Sequence, residues 1–333
     1  VKKFVRRASL FSLGLCTIGV LVILSYHHIQ LQKEEELFEG KGKLIEAADT
    51  KINVYVEGRG TDTFVFMSGA GIAAPVYELK GLYSKFSRSS SIALVERAGY
   101  GYSNETKDGR EIGEILNQTR TALAKSGLKP PYILVPHSIS GIEAIYWAQC
   151  YPQEIKAIIG LDIGLPHEYA NHPLEFSEKL QIASMNFLPK LGIHRLFPEA
   201  VYDPEVLRQS FLNREEKEIY KAISYKKAMT DNMRQEMFMS SRNGEISASL
   251  PYPVHTPMLL LSAYKESNRS NFEKRKKENY VNFADHLLQS KVAEVKGNHS
   301  IYLYAPEEIH QLTLNFLETI EKEQSHELHS SDD

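Results

Sequence analysis

Short apolar runs, rich in β-branched and aromatic residues, recur along the chain between polar or turn-forming residues. Leu44–Ala47 and Ile52–Glu57 flank a brief polar turn and predict a hairpin. Phe64–Met67, Ile92–Glu96, Tyr132–Val135, Ile155–Leu161, Met258–Leu261 and Val292–Val295 are apolar at successive positions, as in strands covered on both faces of a parallel sheet. Segments of helical period lie between them. Pro75 can open a helix, Ile112, Ile115, Thr119 and Ala122 share a helix face that Gly127 can close, and Ile309, Leu312, Phe316 and Ile320 mark a last helix. The alternation predicts an α/β fold: a mostly parallel eight-stranded sheet flanked by helices.

Two stretches break the pattern. Between Leu161 and Met258 lie roughly ninety residues without a strong strand signal, too many for a plain crossover. Phe176, Leu180, Ala183 and Phe187, then Met229, Met233 and Met237, recur at helical spacing. A helical cap over residues 163–254 is therefore predicted, between core segments 42–162 and 255–323. The other departure is at the start, where Ala8 to Tyr26 is an almost unbroken apolar run after Lys2, Lys3, Arg6 and Arg7. Such a helix nearly crosses a hydrocarbon layer of ~30 Å at ~1.5 Å per residue. Residues 1–26 are read as a single membrane-spanning helix whose basic flank stays cytoplasmic, 27–41 as a stalk, and 324–333 as a disordered polar tail. The body then faces outward from the cell membrane. A cleaved signal peptide is the alternative, but no clear small-x-small site follows the run. Val1 in first position fits a start codon read as valine, which carries the expectation of a bacterial gene.

Charge sharpens the division. The net charge is −3, and removing the four basic residues ahead of the apolar run leaves −7 on the rest, which argues against nucleic acid as a partner. The two cysteines, Cys16 in the apolar run and Cys150 in the body, suit neither a disulfide nor a metal site. Cys150 is expected to be a small buried side chain at a helix end. The charged run from Glu273 to Glu278 reads as a solvated helix face.

The chemistry gathers in Tyr132-Ile-Leu-Val-Pro-His-Ser-Ile-Ser-Gly141: a strand, a tight turn at Ser138, and a helix from Ile142. A nucleophilic serine needs such a turn to lift its hydroxyl clear of the backbone, with a helix N-terminus beside the developing oxyanion. The segment resembles the nucleophile elbow of the α/β-hydrolase family, usually G-x-S-x-G, with Pro136 and Ser140 in place of the two glycines. Phe64-Val-Phe-Met-Ser-Gly-Ala-Gly71 resembles the family's strand and H-G-x-G loop, with Ser68 for the histidine. Leu94-Val-Glu-Arg-Ala-Gly-Tyr-Gly-Tyr-Ser103 resembles its D-x-R-G-x-G-x-S loop, with Glu96 for the aspartate.

The resemblance implies Ser138 as nucleophile and His299, in the loop after the last predicted strand, as base. It implies the N–H groups of Ala70 and Ile139 as the oxyanion hole. Gly69, Gly71, His137 and Arg97 would have supporting roles. The family's spacing puts the third, acidic member on Glu266, with Asp162 after an earlier strand as the alternative; the order Ser, acid, His holds either way. The implied reaction is acyl transfer to water without metal or organic cofactor, by a capped serine hydrolase of the carboxylesterase kind. Dehalogenases and epoxide hydrolases of this fold use an aspartate nucleophile, and Ser138 at that position speaks against them. Met185, Met229, Met233, Met237 and Met239 either line an adaptable apolar pocket, suiting a small or lipidic ester, or belong to ordinary helix packing. A proline-releasing aminopeptidase and a non-catalytic ligand-binding protein on the same scaffold remain the alternative readings.

Overall fold

The computed structural model describes residues 2–38, 40–265 and 271–330. The eight strands are β1 (Lys43–Ala47), β2 (Thr50–Glu57), β3 (Thr63–Met67), β4 (Ser91–Glu96), β5 (Tyr132–Pro136), β6 (Ile155–Leu161), β7 (Met258–Tyr264) and β8 (Ser290–Lys296). They form one sheet in the order β1-β2-β4-β3-β5-β6-β7-β8. The hairpin β1–β2 and the β2–β4 pair are antiparallel, and every other pair is parallel.

Alternation along each strand sends side chains to opposite faces. Phe64, Phe66, Ile92, Leu94, Ile133 and Val135 enter one apolar layer with Leu82, Phe86 and Phe316. Val65, Met67, Ala93, Val95, Leu134 and Leu260 enter the other with Leu116, Leu123, Trp147 and Tyr280. The strands are apolar throughout because both faces are covered.

Helices alone span the stretch between β6 and β7, and they pack on the loop after β4. The contacts are specific. Asn232 Oδ1 accepts from Thr106 N–H (2.9 Å), Asn243 Oδ1 accepts from Ile112 N–H (2.9 Å), and Lys227 Nζ donates to Ser103 O (2.8 Å).

Three expectations need correction. The N-terminal helix does not end with its apolar run: it continues from Lys2 to Glu35, through most of the expected stalk. Nothing between Tyr26 and Glu35 breaks a helix, and the added turns have a surface to pack on. Arg195 of the cap makes a two-bonded ion pair with Glu34 (2.8 and 2.6 Å) and donates to His27 Nδ1 (2.9 Å). The last helix likewise runs from Pro306 to Ser330, well into the expected disordered tail, with no glycine or proline after Pro306 to interrupt it. Cys150 is exposed at its helix end.

The helix Ser140–Cys150 lies hard against the loop after β6. A Cβ on Gly141 would fall 2.6 Å from Ile163 Cβ and 2.7 Å from the Gly164 carbonyl oxygen. Gly141→Ala should therefore cost about 1–3 kcal/mol, read as a lowered denaturant midpoint at unchanged slope. A wild-type midpoint would show that the two segments are not in contact.

Candidate active site

Strand β5 turns into the helix Ser140–Cys150 within three residues, and Ser138 makes the turn with a left-handed backbone, φ +57°. The surroundings fix that conformation. His137 N–H donates to Met67 O (2.9 Å), Ser138 N–H reaches Leu161 O (3.4 Å), and Ser140 Oγ donates to Met67 O (2.9 Å) while accepting from His137 N–H (2.9 Å). The serine that replaces the usual glycine thus ties the turn to β3. Proline is accommodated because the β5–β6 register runs only to Leu134–Ile158 and pairing resumes as a bridge between His137 and Leu161.

Three side chains from three loops converge here. Ser138 Oγ donates to His299 Nε2 at 2.8 Å, and His299 Nδ1 donates to Asp162 Oδ2 at 2.6 Å. A carboxylate can only accept, so the proton is on Nδ1 and Nε2 is free to accept from the serine. Asp162 also has a left-handed backbone, φ +47°, which turns its carboxylate back over the sheet edge. Its Oδ1 accepts from Ala263 N–H (2.8 Å), and Lys276 contacts its Oδ2 and its carbonyl oxygen, both at 2.9 Å. Burial alone would raise the Asp162 pKa, but the His299 hydrogen bond and the Lys276 charge hold it down at about 2.

The acid at the imidazole is therefore Asp162, the alternative in the sequence reading. The preferred Glu266 lies outside the described residues. Lys276 was missed: it belongs to the charged run read as a solvated face, yet it is buried. Nothing in that run distinguishes one lysine from its neighbours.

His137 lies under the pair. Burial, then the nearby His299, pushes its pKa down to about 3, so it is neutral. Its Nε2 donates to the His299 carbonyl oxygen (3.0 Å), and its ring meets Tyr302 edge-on. Gly69 presses on the turn from the other side: a Cβ there would fall 2.7 Å from His137 Nδ1 and 3.0 Å from Ser138 Cβ. Gly71, φ +71°, lets the loop leave toward Met229.

Arg97 holds that loop from beneath, its guanidinium donating to Ser68 O (2.8 Å) and Gly69 O (3.3 Å). Fully buried itself, it pairs with Glu236 of the cap at 2.8 Å and approaches Glu143 at 3.9 Å. Among the described hydrogen bonds none uses the N–H of Ala70 or of Ile139. Glu96 is buried away from the serine and takes N–H bonds from Tyr102 (2.7 Å) and Asn53 (3.0 Å), a loop-shaping role.

A cleft of about 720 Å³ opens over Ser138 and His299, with Glu168, Tyr169, Arg275 and Asn279 in its walls. Tyr169, from the cap, brings its hydroxyl close to Ser138. No methionine lines this cleft among the described residues. Met229 and Met233 pack with Tyr100 in a small core of their own, with Met237 against it, so of the two readings offered for the methionines these three follow ordinary packing. No group of residues able to hold a metal ion is found among the described residues.

No family model matches the chain. It is 51% identical over 311 residues to the uncharacterized protein YbdG of Bacillus subtilis, an alignment covering 92% of this chain and 96% of that protein. A weaker likeness, 26% over 111 residues, relates a third of the chain to 21% of the uncharacterized Schizosaccharomyces pombe protein C23C11.06c. Among solved structures, a protein of Acinetobacter baumannii assigned as a lipase superimposes with a TM-score of 0.63 at 17% identity, covering 89% of this chain and 97% of its own. Epoxide hydrolase A of Mycobacterium thermoresistibile gives 0.62 at 15% identity, covering 83% and 97%. These likenesses establish the α/β-hydrolase fold.

The lowered pKa of Asp162 has a consequence for stability. Its ordinary value of 3.8 falls to about 2 on folding, so the contribution is present above pH 4 and is lost as pH falls through 2. Its size is on the order of 2 kcal/mol. Asp162→Asn should unfold more easily than wild type at pH 7, with the gap closing toward pH 2 in denaturant titrations. A gap that stays constant with pH would show that the carboxylate is not held by charge.

Proposed function

The chain belongs to one family with Bacillus subtilis YbdG, and from that premise we propose that it is a serine hydrolase cleaving an ester or related acyl bond through an acyl-enzyme. The observation that carries the reading is the unbroken hydrogen-bonded line from Ser138 through His299 to Asp162, at 2.8 and 2.6 Å. Ser138 Oγ attacks the acyl carbon as its proton passes to His299 Nε2. The charge that develops on the carbonyl oxygen meets the N–H groups of Ala70 and Ile139, each worth roughly 3–4 kcal/mol in such a hole. His299 returns the proton to the leaving group. Water then attacks the acyl-enzyme, giving its proton to His299 Nε2; as the acyl C–Oγ bond breaks and the acid product leaves, His299 passes that proton to Ser138 Oγ, restoring the starting state.

The substrate is a small or lipidic acyl compound. The aminopeptidase alternative needs a carboxylate free to grip an amino terminus. Glu168, Glu178 and Glu273 line the cleft, and each already has a partner: Glu168 accepts from Leu165 N–H (2.9 Å) and Asn279 (2.7 Å), Glu178 accepts from Glu175 N–H (2.8 Å), and Glu273 is engaged as well.

The N-terminal helix is proposed as an uncleaved, single membrane span with the body outside. Support comes from its 34-residue length and mean hydropathy of 2.2 in its apolar window.

A fluorophosphonate that labels activated serines should form an adduct at Ser138, lost in Ser138→Ala. A well-folded wild type that takes no label would sink the catalytic reading. For the acid, Asp162→Asn should lower turnover of an activated ester by about 10⁴-fold while Glu266→Gln stays within a few-fold of wild type. The reverse ranking would move the role to Glu266.

A further inference from the structure

The cap turn that grips the N-terminal helix does so unusually close to the end of the apolar run. Gly192 lies against that helix: a Cβ on it would fall 2.5 Å from His27 Cβ and 3.2 Å from the Ile23 carbonyl oxygen. Ile23 is still within the apolar run, about 5 Å along the helix from its end at Tyr26. On the reading of that run as a membrane span, on which this inference rests, Gly192 stands where hydrocarbon meets headgroups.

The residues on either side of Gly192 are not those of a water-facing turn. Phe187, Leu188, Leu196 and Phe197 are between 41% and 61% exposed. Farther back on the helix Phe176–Lys190, Phe176 and Leu180 are also exposed, and with Phe187 they fall within about 40° of one another around the helix. Ile182 and Asn186 of the same helix are the ones turned inward. Phe187, Leu188, Leu196 and Phe197 thus flank the turn that touches the N-terminal helix and put four exposed large apolar side chains within eleven residues, beside the helix read as a span.

We propose that this face of the cap rests in the lipid leaflet from which the N-terminal helix emerges. Phe187, Leu188, Leu196 and Phe197 lie at the acyl–headgroup boundary, and the protein is held by a span and by its cap. Leu174 and Glu178, which line the cleft, stand at the other end of the helix Phe176–Lys190, roughly 20 Å along its axis from Gly192.

The test uses the full-length chain in phosphatidylcholine–phosphatidylglycerol vesicles containing lipids spin-labelled along the acyl chain. Single cysteines carry an environment-sensitive fluorophore. Phe187→Cys and Phe197→Cys are made in a background of Cys16→Ser and Cys150→Ser. Leu288→Cys, just ahead of β8 and 69% exposed, is the water control, and native Cys16 with only Cys150→Ser reports the span. All changed body positions are exposed, so folding is checked simply by a melting curve matching wild type. The proposal expects quenching by the lipid spin labels at Cys16, Phe187→Cys and Phe197→Cys, and none at Leu288→Cys. Quenching at Cys16 with water-exposed cap labels overturns the proposal and leaves the span standing. Cap labels shielded from water yet blind to the lipid quenchers mean that a second copy covers the face, which also overturns it. No quenching at Cys16 removes the span, and the proposal with it.

Discussion

A serine forced into the left-handed region, as Ser138 is with φ +57°, carries a backbone cost of about 1–2 kcal/mol that nothing in the residue itself offsets. Such a conformation persists only where its neighbours leave no alternative. Here β3 takes two hydrogen bonds from the turn at Met67 O, Leu161 O accepts a third, and Gly69 and Gly141 bring two other segments so near that a methyl group would not fit. The central strands are buried on both faces, so the turn cannot relax by moving the sheet. The strain projects the hydroxyl away from β5 toward the loop that carries His299.

The same constraint explains why the cap is more than a cover. The loop from Ser68 to Gly71 must be held against Ser138 although its own backbone makes no strand there. Arg97 holds it by two of its carbonyl oxygens, and a fully buried guanidinium needs compensating charge. Glu143 comes from the helix behind the nucleophile and Glu236 from the cap. The carboxylate of Glu236 also approaches Arg110 at 3.6 Å, so two arginines and two glutamates neutralise one another. Core and cap thus share one electrostatic unit beneath the proposed oxyanion hole, and a cap displaced from Arg97 would leave its buried charge uncompensated.

These dependencies were unevenly visible in the sequence. The eight strands could be read because burial on both faces leaves a run of apolar residues that needs no knowledge of partners. Ser138 and His299 could be placed because each follows a strand directly and the turn chemistry around them is local. Asp162 could not be ranked above Glu266, since each follows a strand on the same side of the nucleophile and the choice depends on where a loop 137 residues away in the chain delivers an imidazole. The extension of the N-terminal helix past Tyr26 was hidden for a related reason. Its polar residues are stabilised by Arg195 and by the cap, which only the folded chain brings near. Lys276 was invisible among like neighbours because its role is set by Asp162 alone.

Lys276 also changes what the carboxylate can do. Asp162 Oδ2 faces two cationic partners when the imidazole is protonated: His299 at 2.6 Å and Lys276 at 2.9 Å. A carboxylate with one such neighbour both orients the ring and compensates its charge; one whose charge is already met by a buried ammonium orients the ring more than it neutralises it. The hydrogen bond from Ala263 N–H to Oδ1 fixes the plane of the group and leaves Oδ2 as the only oxygen turned to the ring. His299 is about half exposed, and water can supply part of the compensation that Asp162 shares with the lysine. In the proposed reaction the imidazolium would therefore depend on the open mouth of the cleft as well as on its acid, which ties the chemistry to how deeply the bound substrate closes that mouth.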